Sequence, residues 1–179
     1  MDKIIILDYG SQYTQLIARR IREQHVYSEI VPFNITVDKV KAYAPKGIIL
    51  SGGPNSVFEE GAPGIDPGIF DLGIPVLGVC YGMQLISQEL GGRVQPGEAR
   101  EYGKTEMTVV PGNELFKGLP DKFVVWMSHG DRVAEIPAGF KVSATSDNCP
   151  YAAIRNEEKR FFGIQFHPEV VHTQHGNQI

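Results

Sequence analysis

Cysteine is scarce here: Cys80 and Cys149 are the only two in 179 residues, and they lie far apart. That argues against a disulfide framework and for a reducing compartment, the cytoplasm. Long apolar runs are missing too, and none approaches the roughly 20 residues that a membrane-spanning helix needs. No secretory leader opens the chain, because Lys3 to Leu7 already reads as a strand. Neither sign of charge dominates: 17 Lys and Arg face 21 Asp and Glu, a net charge of −4. That balance gives no support for binding nucleic acid or a membrane surface. There is no internal repeat, low-complexity segment or linker, and no G-x-x-x-x-G-K-[ST] phosphate loop. What is present is a composition 42% hydrophobic and 21% charged, that of an ordinary globular domain with a real core.

The first half alternates short apolar runs with helical patterns. Lys3–Leu7, Tyr27–Phe33, Gly47–Leu50 and Ile74–Val79 read as strands. Tyr13, Leu16, Ile17 and Ile21 mark one face of a helix, with Arg19, Arg20, Arg22 and Glu23 outside. Val37–Tyr43 is a short helix closed by Pro45. Asn55–Pro67 is a long loop rich in Gly and Pro, expected to be mobile. From Arg93 the texture changes, and strands are expected over 105–110, 123–127, 140–144, 152–155 and 160–166. The pattern predicts an α/β fold: a mostly parallel, mixed central sheet, helices on both faces, and added antiparallel strands. In such sheets, sites gather at the carboxyl ends of strands, where Asp8, Gly53 and Cys80 fall.

Cys80 stands in Gly78-Val-Cys-Tyr-Gly82, between an apolar run and a helical pattern ending at Gly91-Gly92. This is the G-x-nucleophile-x-G arrangement of a nucleophile elbow, with Cys in place of Ser. Small neighbours let the chain bend, and the following helix N-terminus favours the thiolate. A buried structural Cys is the bland alternative. His167 and Glu169 lie two apart in a segment that Pro168 keeps from helix, so both point to one side. A carboxylate beside an imidazole fixes its tautomer and stabilises its charged form. Gly53, in a Gly-rich turn after a strand, can offer a backbone N–H to an oxyanion, although a plain tight turn would look the same.

Four segments, Ser51-Gly-Gly-Pro54, Gly78-Val-Cys-Tyr-Gly-Met-Gln84, Met127-Ser-His-Gly-Asp131 and Gly163-Ile-Gln-Phe-His-Pro-Glu169, resemble the class I glutamine amidotransferases in order and cover nearly the whole chain. The opening Ile6-Leu-Asp-Tyr-Gly-Ser-Gln-Tyr-Thr-Gln-Leu-Ile-Ala-Arg19, with Met127–Asp131 and Val171-His-Thr-Gln-His-Gly176, is similar to the glutaminase portion of the GMP synthase family. The resemblance implies a flavodoxin-like fold over 1–179 and a Cys80, His167, Glu169 triad. It also implies an oxyanion hole from the backbone of Gly53 and Tyr81, and glutamine contacts from Gln84, Ser128, Gly130 and Asp131. It implies no metal or cofactor in this chain. ATP and magnesium would belong to a partner synthetase domain that converts XMP to GMP. The chain would then be an N-terminal fragment of a two-domain enzyme, with a further helix after His172–Ile179. A free subunit is the other form.

His129 is read as a supporting or surface residue, and Cys149 as structural. Other readings stay open. Ser51-Gly-Gly-Pro-Asn-Ser56 superficially resembles an ATP pyrophosphatase loop, with Asn55 where an acid belongs. A regulatory module on the same fold would carry a dead triad. The glutaminase component of another enzyme, such as anthranilate synthase, would share every motif.

Overall fold

The computed structural model describes residues Met1–Ile179. The first half builds β1 (Lys3–Asp8), α1 (Thr14–Glu23), β2 (Tyr27–Pro32), α2 (Val37–Tyr43), β3 (Gly47–Leu50), β4 (Val76–Val79) and α3 (Tyr81–Glu89). The second half adds β5 (Arg93–Val109), β6 (Lys122–Glu135), β7 (Lys141–Thr145), β8 (Ala153–Asn156) and β9 (Phe161–Ile164). All nine strands form one sheet, in the order β2-β1-β3-β4-β9-β8-β7-β5-β6. The first five in that order pair in parallel, and the rest join by antiparallel pairing. This is the expected mixed α/β sheet.

Alternation along the strands sorts the core. Ile5, Leu7, Ile48, Leu50 and Val76 pack with α2, α3 and the 3-10 turn Pro67–Asp71. Ile6 and Ile49 face α1 through Ile17, Ala18 and Ile21 on the other side. Helices therefore cover both faces of the parallel half. Beyond α1, an apolar groove of about 250 Å³ lies between Ile17, Ile21, Ile49, Leu77 and Ile179. No helix is long and apolar enough to cross a membrane.

The outer hairpin differs from the expected short strands. β5 has 17 residues and β6 has 14, paired almost to their tips across an irregularity between Pro96 and Glu101. The segment Ser128–Asp131 lies within β6. The middle of β5 is polar and mostly exposed, Glu98-Ala-Arg-Glu-Tyr-Gly-Lys104. It has no apolar alternation to announce it, and only cross-strand pairing defines it.

Candidate active site

Cys80 sits where β4 meets α3, at φ +52° and ψ −106°. An L-residue avoids that region unless its surroundings enforce it, and strain of this kind gathers at functional sites. Here the Cys80 N–H donates to the Ile164 carbonyl of β9 (2.8 Å), and α3 packs close behind. A Cβ at Gly78 would come within 2.5 Å of the Gly82 backbone, and one at Gly82 would overlap the Leu50 carbonyl. Both glycines are required by close approach, as an elbow demands.

His167 and Glu169 follow β9. His167 Nδ1 and Glu169 Oε1 are 2.6 Å apart, both side chains almost fully buried. Nε2 is thereby left for Cys80. Burial alone would lower the His167 pKa, but hydrogen bonds to Cys80 and Glu169, with the charge of each, raise it to about 10. These contacts favour the doubly protonated ring. Tyr13 lies edge-on to it, with centroids 5.4 Å apart. Arg20 of α1 donates to the Glu169 carbonyl (3.1 Å), and Thr173 Oγ1 to the His167 carbonyl (2.5 Å), so main chain on both sides of Pro168 is held. The second carboxylate oxygen of Glu169 is buried without a protein donor.

Two openings converge on Cys80. One is a polar cleft of about 560 Å³ whose lining includes Gly53, Tyr81, Gln84, Ser128, Gly130 and Asp131. Every residue expected to bind glutamine or hold the oxyanion is thus in one place. The other opening, about 290 Å³, is lined by Ser11, Gln12, Tyr13, Pro54, Cys80 and His167. Gly53 lines both. A Cβ there would overlap the Tyr9 carbonyl, and the Gly53 N–H meets no protein acceptor. Tyr81 is the first residue of α3, so its N–H is one of the amides with no partner inside the helix.

The glutamine-contact candidates are tied to one another. Gln84 Nε2 donates to the Asp131 carbonyl (3.1 Å) and to Gln165 Oε1 (3.2 Å). The Cys80 thiol lies 3.6 Å from the Ser128 carbonyl. Gly130 lies under the Arg100 side chain, and Ser56 donates to the Asp131 carboxylate. Loop 55–66 is not free: Tyr81 OH donates to the Pro63 carbonyl (2.5 Å), Tyr9 OH to Gly64 (3.1 Å) and Gln88 Nε2 to Val57 (3.0 Å). These bonds correct the expectation of a mobile loop. Its Gly and Pro residues shape turns whose carbonyls are tied to the domain.

Three residues escaped the sequence reading. Gln165 is fully buried and its Nε2 lies 3.5 Å from Cys80 Sγ. It precedes His167 by two, so strand parity could have found it. Arg100 and Glu101 come from the polar strand that had no signal. Of the two readings of His129, the surface one is excluded: it is buried against Glu101 (2.9 Å). Cys149 is buried as expected of a structural thiol, and desolvation pushes its pKa up to about 12.

The family model for class I glutamine amidotransferases matches residues 5–179. The chain belongs to the class I glutamine amidotransferase family. Among solved structures, a candidate GMP synthase subunit from Thermoplasma acidophilum superposes with a TM-score of 0.88 at 34% identity, covering 99% of this chain and 89% of that one. A glutamine amidotransferase from Thermotoga maritima, 22% identical, superposes with a TM-score of 0.74 over 94% of this chain and 76% of its own, and so shares the amidotransferase fold. A glutamine-hydrolysing GMP synthase from Lactobacillus acidophilus is 58% identical over 179 residues, and one from Bacillus cereus 57% over 178. Each alignment takes in 99% of this amidotransferase chain, which spans only 35% of the length of those relatives.

Proposed function

We propose that this chain hydrolyses L-glutamine to glutamate and ammonia, and that the ammonia passes to an ATP- and magnesium-dependent synthetase domain that converts XMP to GMP. The observation that carries the reading is Cys80 at positive φ on an elbow, with the buried His167–Glu169 pair directed at its sulfur. The thiolate attacks the amide carbon of the glutamine side chain. The C–N bond breaks as ammonia departs with a proton from His167, leaving a γ-glutamyl thioester on Cys80. His167 then takes a proton from water, which attacks the thioester and releases glutamate. Glu169 holds the ring and its charge. The N–H groups of Gly53 and Tyr81 stabilise the oxyanion of each tetrahedral intermediate. Asp131 and Arg100 put both signs of charge in the cleft, which suits a zwitterionic amino acid. The synthetase half rests on the relatives named GMP synthase and on the segments Ile6–Arg19, Met127–Asp131 and Val171–Gly176. The chain is then the glutaminase part of a larger enzyme, whether joined to the synthetase domain or paired with it as a separate chain.

Cys80→Ala is the deciding variant. It should fold and release no ammonia from glutamine. In the complete enzyme, supplied ammonia should still support GMP formation from XMP and ATP. Undiminished glutamine hydrolysis by the variant would overturn the nucleophile assignment. A wild-type complete enzyme that hydrolyses glutamine but aminates a substrate other than XMP would overturn the synthetase assignment alone.

A further inference from the structure

In the wall of the cleft, where His129 is part of the lining, is a second buried His–carboxylate pair that the proposed chemistry does not use. Glu101 of β5 and His129 of β6 are register partners, each side chain about 4% exposed, with Oε2 2.9 Å from Nε2. The other ring nitrogen, Nδ1, is 2.8 Å from the Asp131 carbonyl. A carbonyl only accepts, so Nδ1 must carry a proton. Nε2 faces a carboxylate, so a second proton is needed there, on the ring or on Glu101. The pair is complete only when it holds both. Cys149 lies close, with ligand-type atoms of the three residues within 4.8 Å of one another. Both ring nitrogens are already engaged, and the Cys149 thiol stays protonated at neutral pH.

The Asp131 carbonyl serves a second donor. Gln84 Nε2 reaches it at 3.1 Å and bonds Gln165 Oε1 at 3.2 Å, while Gln165 Nε2 lies 3.5 Å from Cys80 Sγ. A continuous path of hydrogen bonds thus runs from Glu101 through His129, Asp131, Gln84 and Gln165 to the nucleophile. With Nε2 drawn to two acceptors, the orientation of the Gln84 amide is set, and its carbonyl oxygen takes no donor from the protein. Freed from His129, β6 would lose a side-chain anchor on the Asp131 carbonyl, which sets that orientation.

We propose that Glu101 is a positioning residue for glutamine: acting through His129, it fixes the Asp131 carbonyl and hence the Gln84 amide, and so sets affinity for substrate without touching it. This rests on the glutaminase reading. The readout is the glutamine concentration that half-protects Cys80 of the 179-residue chain from alkylation by iodoacetamide, with circular dichroism confirming the fold. Buried Cys149 stays silent.

Glu101→Leu should raise the half-protecting concentration roughly ten- to a hundredfold, the effect of breaking one buried, charge-assisted bond. Its alkylation rate without glutamine should be unchanged. Glu101→Gln should behave like wild type within about threefold, because its amide can donate to Nε2 while a neutral ring keeps its Nδ1 proton on Asp131. His129→Asn should match the Leu variant, and adding Glu101→Leu to it should do nothing more. If Glu101→Leu does not fold, the Asn and Gln variants decide the matter between them. Equal protection in all variants overturns the inference and leaves the glutaminase reading standing. A Gln variant as weak as Leu also overturns it. Wild-type chain that glutamine does not protect overturns both.

Discussion

His167 illustrates how one residue is set by competing terms. Burial disfavours its charge, while Glu169 at 2.6 Å and Cys80 favour it, and the pKa rises from 6.5 to about 10. The folded state therefore binds a proton that the unfolded chain releases earlier. The stabilisation from this pairing is fully present below about pH 6.5 and is lost as pH climbs through about 10. Urea unfolding of wild type and His167→Ala across pH 6 to 10 should show the difference between them shift steadily against wild type as pH rises; a constant difference would refute the assignment. In catalysis the two residues should separate. Glu169→Gln keeps an acceptor for the ring but not its charge, and should be milder than His167→Ala, which removes the acid and base. Loss of an orienting carboxylate reaches about 10⁴-fold in rate in Ser-His-Asp triads, at about 1.4 kcal/mol per tenfold. Equal, negligible effects of both on ammonia release would take the pair out of the mechanism.

At the scale of elements, the parallel half was legible because each strand is a short Ile- and Val-rich run between turn signals. β1, β3 and α2 sit within one residue of where pattern places them. The outer hairpin was not, since its pairing partners Glu101 with His129 and Tyr102 with Ser128 have no apolar period. Asp66 is an element-scale residue of the same hidden kind. One carboxylate oxygen accepts from the Val37 N–H at the start of α2 (2.9 Å), and the other from the Gly68 N–H of the 3-10 turn (3.1 Å). It caps two helix starts, and Val37 lies 29 residues from it in sequence. Asp66→Ala should lower unfolding free energy by about 1–2 kcal/mol. The drop should appear in denaturant midpoints with the m-value unchanged. A midpoint equal to wild type would show the caps to be satisfied by solvent.

For the whole molecule, the open geometry of Cys80 matters most. Two openings reach Cys80, both lined by Gly53, and His167 lines one of them. A site open to water weakens the electrostatics on which the oxyanion depends. The isolated chain should therefore hydrolyse glutamine at least about tenfold more slowly than the complete enzyme loaded with XMP and ATP, a difference of about 1.4 kcal/mol or more in barrier. Equal rates of ammonia release with and without the loaded partner would show that the site is already closed enough to work.

The linear order of residues by itself determined the parallel core, the elbow at Cys80 and the pairing of His167 with Glu169. These depend on short-range geometry: strand parity, a tight turn between strand and helix, and side chains two apart on one face. Tertiary structure alone decided that Gln165 meets Cys80, that Asp66 joins two helix starts, and that Glu101 completes His129 in the cleft wall. Those contacts join polar side chains far apart in sequence. A polar residue leaves no period in the chain, because its partner is one specific atom rather than a face of the core, and only the folded sheet brings that atom within reach.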